Sequence, residues 1–191
     1  MNTLFNQELK NAGRGIIAIL RGKPDAKSYF DLSMHGFLGS MVAFLVAATV
    51  NAYLPGILEG ATQASAQERP PPSPSLALLL VGVIFVFQTA FGAMALKQFD
   101  RFDGLIPYLV VSNWATFFFT AIFIIFRLIN LSAFPILLLT AIALIITEIN
   151  NLRLIIGLRA MQIAMFIIAQ FVGALTGLML LSSIFPHMTL I

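Results

Sequence analysis

The stretch Ile145–Arg159, IITEINNLRLIIGLR, gathers Glu148, Asn150, Asn151, Arg153 and Arg159 between two long apolar runs. It reads either as a polar site buried between two helices or as the turn joining two membrane spans. The rest of the chain decides between the two. Of its 191 residues 59% are hydrophobic and 10% charged, whereas soluble domains carry about a quarter charged residues. This is the composition of a single membrane domain, in which lipid covers much of the apolar surface.

Five runs reach the length of about 20 residues that a hydrocarbon layer demands: Met34–Leu54, Leu76–Leu96, Leu105–Phe126, Leu131–Ile149 and Ala160–Phe185. The expected fold is all-α, a polytopic bundle of five transmembrane helices over residues 34–191, preceded over residues 1–33 by an amphipathic interfacial helix and a linker. Ala64-Ser65-Ala66 lies too far beyond the first apolar run for that run to be a cleaved signal.

Orientation follows from the basic residues. Lys10, Arg14, Arg21, Lys23 and Lys27 precede the first span, and five spans bring Lys97, Arg101, Arg153 and Arg159 to the same side. That is nine against two, Arg69 and Arg127. Positive charge stays inside, so the expectation is a bacterial inner-membrane protein with a cytoplasmic N-terminus and a periplasmic C-terminus. Ile145–Arg159 then becomes a cytoplasmic turn between spans four and five, with Glu148 and Asn151 tying down helix ends.

Residues 2–21 place Phe5, Leu9, Ala12, Ile16, Ile19 and Leu20 on one helical face and Lys10, Arg14 and Arg21 on the opposite one. Such a helix lies in the headgroup layer, attracted by anionic lipid, or else packs on the protein's own loops. Gly22-Lys23-Pro24 ends it, and Asp31 or Ser33 caps the first span. The outer loop Pro55–Ser75 ends in Pro70-Pro71-Pro72-Ser73-Pro74, a stiff extended spacer.

Polar residues inside spans face protein or water, because hydrocarbon offers them no partner. Gln88, Asn113, Glu148, Asn151 and Gln170 are the residues of a candidate polar path between helices, while Gly82, Ala169, Gly173 and Gly177 are the small residues expected at helix contacts. Ordinary packing accounts for both sets without a ligand. Glu148 is the one acid inside an apolar span and the residue an ion-coupled transporter would use. Arg153 or Arg159 would be its ion-pair partner if the connection folds back.

No catalytic constellation emerges. The chain has no cysteine, which removes disulfides, thiol catalysis and Cys-ligated zinc or iron–sulfur clusters. His35 and His187 are expected on opposite sides of the membrane, and neither is read as having a carboxylate at ligand spacing, so no metal and no cofactor is expected. The net charge of +3 sits in loops and termini without a basic stripe beside aromatic residues, so no nucleic-acid partner is expected either.

Three strings carry a resemblance: Ser28-Tyr29-Phe30-Asp31-Leu32-Ser33 followed by Gly36-Phe37 and Ser40, Pro107-Tyr108 with Asn113-Trp114, and Ile156-Gly157-Leu158-Arg159-Ala160. Over about residues 14–182 the chain resembles small five-span inner-membrane proteins of alphaproteobacteria, distantly similar to the Yip superfamily, whose eukaryotic members act in vesicle trafficking. The resemblance implies a five-span bundle with a cytoplasmic N-terminus and transfers no catalytic residue. The expected function is that of a non-enzymatic accessory or membrane-organising subunit, packing with lipid, other membrane proteins or itself. The alternative is a small transporter or channel subunit using the polar path.

Overall fold

The computed structural model describes residues 2–62, 73–129 and 133–185. Six α-helices follow one another along the described residues: α1 (Asn2–Leu20), α2 (Met34–Thr62), α3 (Pro74–Gln98), α4 (Leu105–Leu128), α5 (Ala133–Asn150) and α6 (Ala160–Ile184). Short 3-10 turns at Pro24–Tyr29 and Phe102–Gly104 and a π-helical turn at Asn151–Ile156 complete the order. Five of the helices are long and apolar enough to cross a membrane, over Met34–Tyr53, Pro74–Gln98, Phe102–Phe126, Leu138–Ile156 and Ala160–Ile184. The protein is therefore a helical membrane protein. Arg69, His187, the side chain of Arg127 and most of the proline-rich spacer lie outside what is described.

Polarity is arranged for lipid rather than for water. Ser40, Asn113, Thr147 and Asn151 are buried, while Leu139, Ile145, Met161, Ile168, Phe171 and Met179 are exposed. On α5 the two classes sit side by side, with Thr147 inside and Ile145, Ile146 and Ile149 outside. An apolar surface this continuous belongs against hydrocarbon chains.

The chain forms two compact units, one of Met1–Ala47 and Asp100–Ile163 and one of Ala48–Phe99 and Ala164–Ile191. In the first, α4 is the central helix. It buries Tyr108, Leu109, Val110, Val111, Asn113, Trp114, Ala115 and Phe119, and α1, α5 and the π-helical turn all pack on it. Helix α1 buries Ala12, Ile16, Ala18 and Ile19 against α4, α5 and the Pro24–Tyr29 turn. Of the two sequence readings of this helix, packing on the protein is therefore what its apolar face does. Gly22, at φ +66°, ends α1 as a left-handed residue that glycine adopts without steric cost. Its N–H reaches Ile19 O at 2.9 Å and that of Lys23 reaches Ala18 O at 2.9 Å, closing two orphan carbonyls. Ser33 caps α2 as expected, its Oγ accepting from the N–H of His35 at 3.2 Å.

Three sequence expectations need correction. The first span stands, at Met34–Tyr53, but the loop does not begin at Pro55, since helix α2 continues through Pro55 to Thr62; a proline in a helix loses one bond and kinks it but does not oblige it to stop. The connection 150–159 is more than a surface turn: Arg153, Gly157 and Arg159 are exposed, but Asn151, Leu152, Ile155, Ile156 and Leu158 are buried. Its apolar content, LRLII, outweighs the two charges and amides that marked it as a loop. Gly82 makes no helix contact among the described residues, because a side chain added there would meet nothing within 4 Å.

In the second unit α6 packs on α3 through Gly173 and Gly177. A Cβ on Gly173 would stand 2.7 Å from the carbonyl oxygen of Phe87, and one on Gly177 would stand 3.4 Å from Val83 and Phe87 side chains. Replacing Gly173 with alanine forces backbone apart and should cost about 1–3 kcal/mol as overpacking. Gly82→Ala should be neutral or stabilising by up to about 1 kcal/mol, as for an exposed helical glycine. Unfolding titrations in detergent micelles check the pair.

Candidate functional site

Tyr108, in the first turn of α4, joins two polar residues of α5 and the π-helical turn. Its hydroxyl donates to Glu148 Oε1 at 2.8 Å, and its carbonyl accepts from Asn151 Nδ2 at 3.2 Å. Glu148 and Asn151 thus share one partner at the junction of α5 with the π-helical turn. The helical path runs on from Glu148 to Ile156, so this carboxylate lies well inside its span rather than one residue from the end. Among the described residues it forms no ion pair; a phenol takes the place expected of Arg153 or Arg159.

Side chains close several of the breaks around the junction, beside the backbone bond from Leu158 N–H to Leu152 O at 3.0 Å. Asn150 Nδ2 donates to Ile19 O at 2.8 Å, fastening the end of α1 to the end of α5. Arg101 donates to Ile156 O, bringing a cation to the carbonyl end of the π-helical turn, where the helix dipole favours it. Gly157, at φ +79°, turns the chain out. Arg159 N–H is then met at 2.9 Å by Gln162 Oε1, a side chain reaching back to cap α6. Gly104 makes the approach of α4 possible: a Cβ there would lie 2.6 Å from Ile156 Cγ2.

Of the candidate path residues, Asn113, Glu148 and Asn151 belong to the first unit and Gln88 and Gln170 to the second. Asn113 is buried on α4 and donates to Ser40 Oγ at 3.1 Å and Met41 Sδ at 3.3 Å. Ser40 Oγ in turn donates to Phe37 O at 2.8 Å, so the amide locks α2 to α4. Gln88 is half-buried on α3, and Gln170 lies on α6 beside Gly92. Ala169 is half-buried on α6. Thr147 Oγ1 and Asn151 Oδ1, one helical turn apart, are buried with no hydrogen-bond partner among the described residues.

Two further clusters lie along α1. Lys10, Arg14 and Arg21 are exposed, as their helical face predicted. Arg14 and Arg21 join Lys23, Ile17, Ala18 and Tyr29 around a groove of about 180 Å³. On the neighbouring side Glu8 comes to Asp31 and His35. The sequence reading passed over this second group, although Asp31 precedes His35 by four residues, one helical turn; Glu8 arrives only through the tertiary fold.

The fold and these sites define a five-helix membrane protein with a polar junction and a helical N-terminal strap. Comparison with protein families, curated proteins and solved structures returns no match.

Removing the Tyr108 hydroxyl tests the junction. Tyr108→Phe should lower stability by about 0.6–2 kcal/mol, the range for such bonds between membrane helices. In a double-mutant cycle with Glu148→Leu the two losses should not add. Asn150→Ala should free the end of α1, read as faster hydrogen exchange across Ala12–Leu20.

Proposed function

We propose that the protein is a non-enzymatic accessory or membrane-organising subunit of a bacterial inner membrane, with its N-terminus in the cytoplasm, that holds anionic lipid at the basic edge of α1. The groove formed by Arg14, Arg21 and Lys23 carries this reading. All three cations are exposed, and among the described residues none has an acidic partner. With the apolar face of α1 spent on the protein, the stripe Lys10, Arg14, Ile17 and Arg21 is left outward, Ile17 being 50% exposed. Two guanidinium forks and an ammonium suit a phosphate. Ile17 and the Tyr29 ring offer an apolar wall to the glycerol and acyl ends. The nine-to-two bias of basic residues supports the same edge facing the cytoplasm.

Partners in the membrane are other proteins or a second copy meeting the apolar outer faces of α5 and α6. Gly173 and Gly177 are occupied by Phe87 of the same chain, which leaves them no part in a dimer. A transport reading draws on one observation, the unpartnered Thr147 and Asn151 oxygens beside Glu148. Ion flux in vesicles that falls with Glu148→Gln would favour it.

Native mass spectrometry of the protein extracted from mixed phosphatidylglycerol and phosphatidylcholine vesicles tests the lipid reading. The wild type should retain the anionic lipid preferentially. Arg14→Gln, Arg21→Gln and Lys23→Gln combined should reduce that preference at least tenfold, and added salt should weaken it. An unchanged preference in the triple variant defeats the reading.

A further inference from the structure

Glu8 on α1, Asp31 in the linker and His35 in the first turn of α2 present one ligand atom each, all within 4.8 Å of one another. His35 Nδ1 stands 3.5 Å from Glu8 Oε1 and 3.3 Å from Asp31 Oδ2. His35 Nδ1 lies within hydrogen-bond reach of Asp31 and also faces Glu8, and one N–H cannot align on both carboxylates at the short distance of a charge-assisted bond. Ligands bound to a shared cation at about 2.0–2.2 Å stand about 3.3–3.6 Å apart in a tetrahedral shell, an interval that contains both His35 separations.

The surroundings hold the donors in this arrangement. Asp31 Oδ1 accepts the Ser33 N–H at 3.0 Å, which fixes the carboxylate and leaves Oδ2 for the site. The hydrogen bonds from Ser33 also hold Asp31 below the usual carboxylate range, so it is an anion at neutral pH. Gly39 clears space for Glu8: a Cβ there would lie 2.9 Å from Glu8 Oε2. A cavity of about 80 Å³ borders Glu8, Asp31, Gly36 and Trp114, room for water at open coordination positions.

We propose that Glu8 Oε1, Asp31 Oδ2 and His35 Nδ1 form a binding site for a divalent first-row cation. One imidazole and two carboxylates suit Zn²⁺ or Mn²⁺ and disfavour soft Cu(I). The ion clips α1 to the start of α2, two segments joined otherwise by the linker, and water completes its shell on the solvent side. None of its three ligands lines the basic groove.

The test uses the full chain in nanodiscs of zwitterionic lipid, which limits adsorption of metal to headgroups. Calorimetric titration with Zn²⁺ should give one site per chain. Bound Mn²⁺, followed by its paramagnetic resonance, should be displaced by Zn²⁺. Glu8→Gln and His35→Ala should each weaken binding at least tenfold, while Asp103→Asn, in the separate Phe102–Gly104 turn, should leave it unchanged. Zn²⁺ should raise the unfolding temperature of the wild type and not of Glu8→Gln. Glu8→Gln preserves shape and size, so it decides the matter if His35→Ala does not fold. Absence of saturable Zn²⁺ or Mn²⁺ binding in the wild type, or equal affinity in Glu8→Gln, overturns the proposal.

Discussion

Buried backbone polar groups have no water to fall back on, and the first unit is organised around the place where that condition is hardest to meet. Between α5 and α6 the chain leaves the α-helix, passes through the π-helical turn Asn151–Ile156 and reverses at Gly157. Widening a helix to i→i+5 bonding misaligns carbonyls and amides that an α-helix would pair. The local sequence answers with side chains. Arg101 takes the Ile156 carbonyl, Gln162 takes the Arg159 amide, and Asn151 and Glu148 both anchor on Tyr108. Leu152 and Ile156 then fill the space beneath. The junction is irregular backbone kept buried because protein surrounds it.

That junction also sets the place of α1. Asn150 holds Ile19 O, the Gly22 turn lies against Arg153, Gly13 lies against Phe118, and Glu8 reaches Gly39 and His35. Read from its end towards its start, the helix meets α5, α4 and α2 in turn. Small residues at Ala12, Gly13, Gly15 and Ala18 permit the close approach, and Ile16 and Ile19 supply the apolar area. The consequence is chemical as well as structural. An amphipathic helix that spends its apolar face on its own protein has only its charged face left to offer, which is why the proposed lipid contact is with headgroups rather than with packing defects among acyl chains.

Much of this was legible in the residues. The five spans, the end of α1 at Gly22 and the Ser33 cap follow from hydropathy length, glycine and a hydroxyl before an apolar run. The nature of Ile145–Arg159 did not follow. Its charges and amides look like a loop when taken one at a time, and burial is decided by partners distant in sequence: Arg101, Gly104 and Tyr108. Tyr108 is counted among the hydrophobic residues in the composition, so its hydroxyl is not flagged as a polar group. The Asp31/His35 spacing was visible, but two ligands one turn apart gain meaning only when Glu8 is brought in from another helix. Gly82 shows the converse, a small residue in a span that faces nothing among the described residues.

The two sites proposed on α1 are opposite in charge and physically adjacent. Tyr29 lines both the basic groove and the cavity beside Glu8 and Asp31. Glu8 precedes Arg14 by six residues, about 9 Å along a helix rising 1.5 Å per residue. That is comparable with the screening length of about 8 Å at physiological ionic strength. Without a cation, the Glu8 and Asp31 carboxylates lower the potential at the groove and oppose an anionic headgroup. A bound divalent ion cancels their charge. By linkage the headgroup then strengthens metal binding by the same factor that the metal strengthens headgroup binding. If both proposed sites are filled, ion and lipid occupancy reinforce each other, with the sign set by the opposite charges of the two sites.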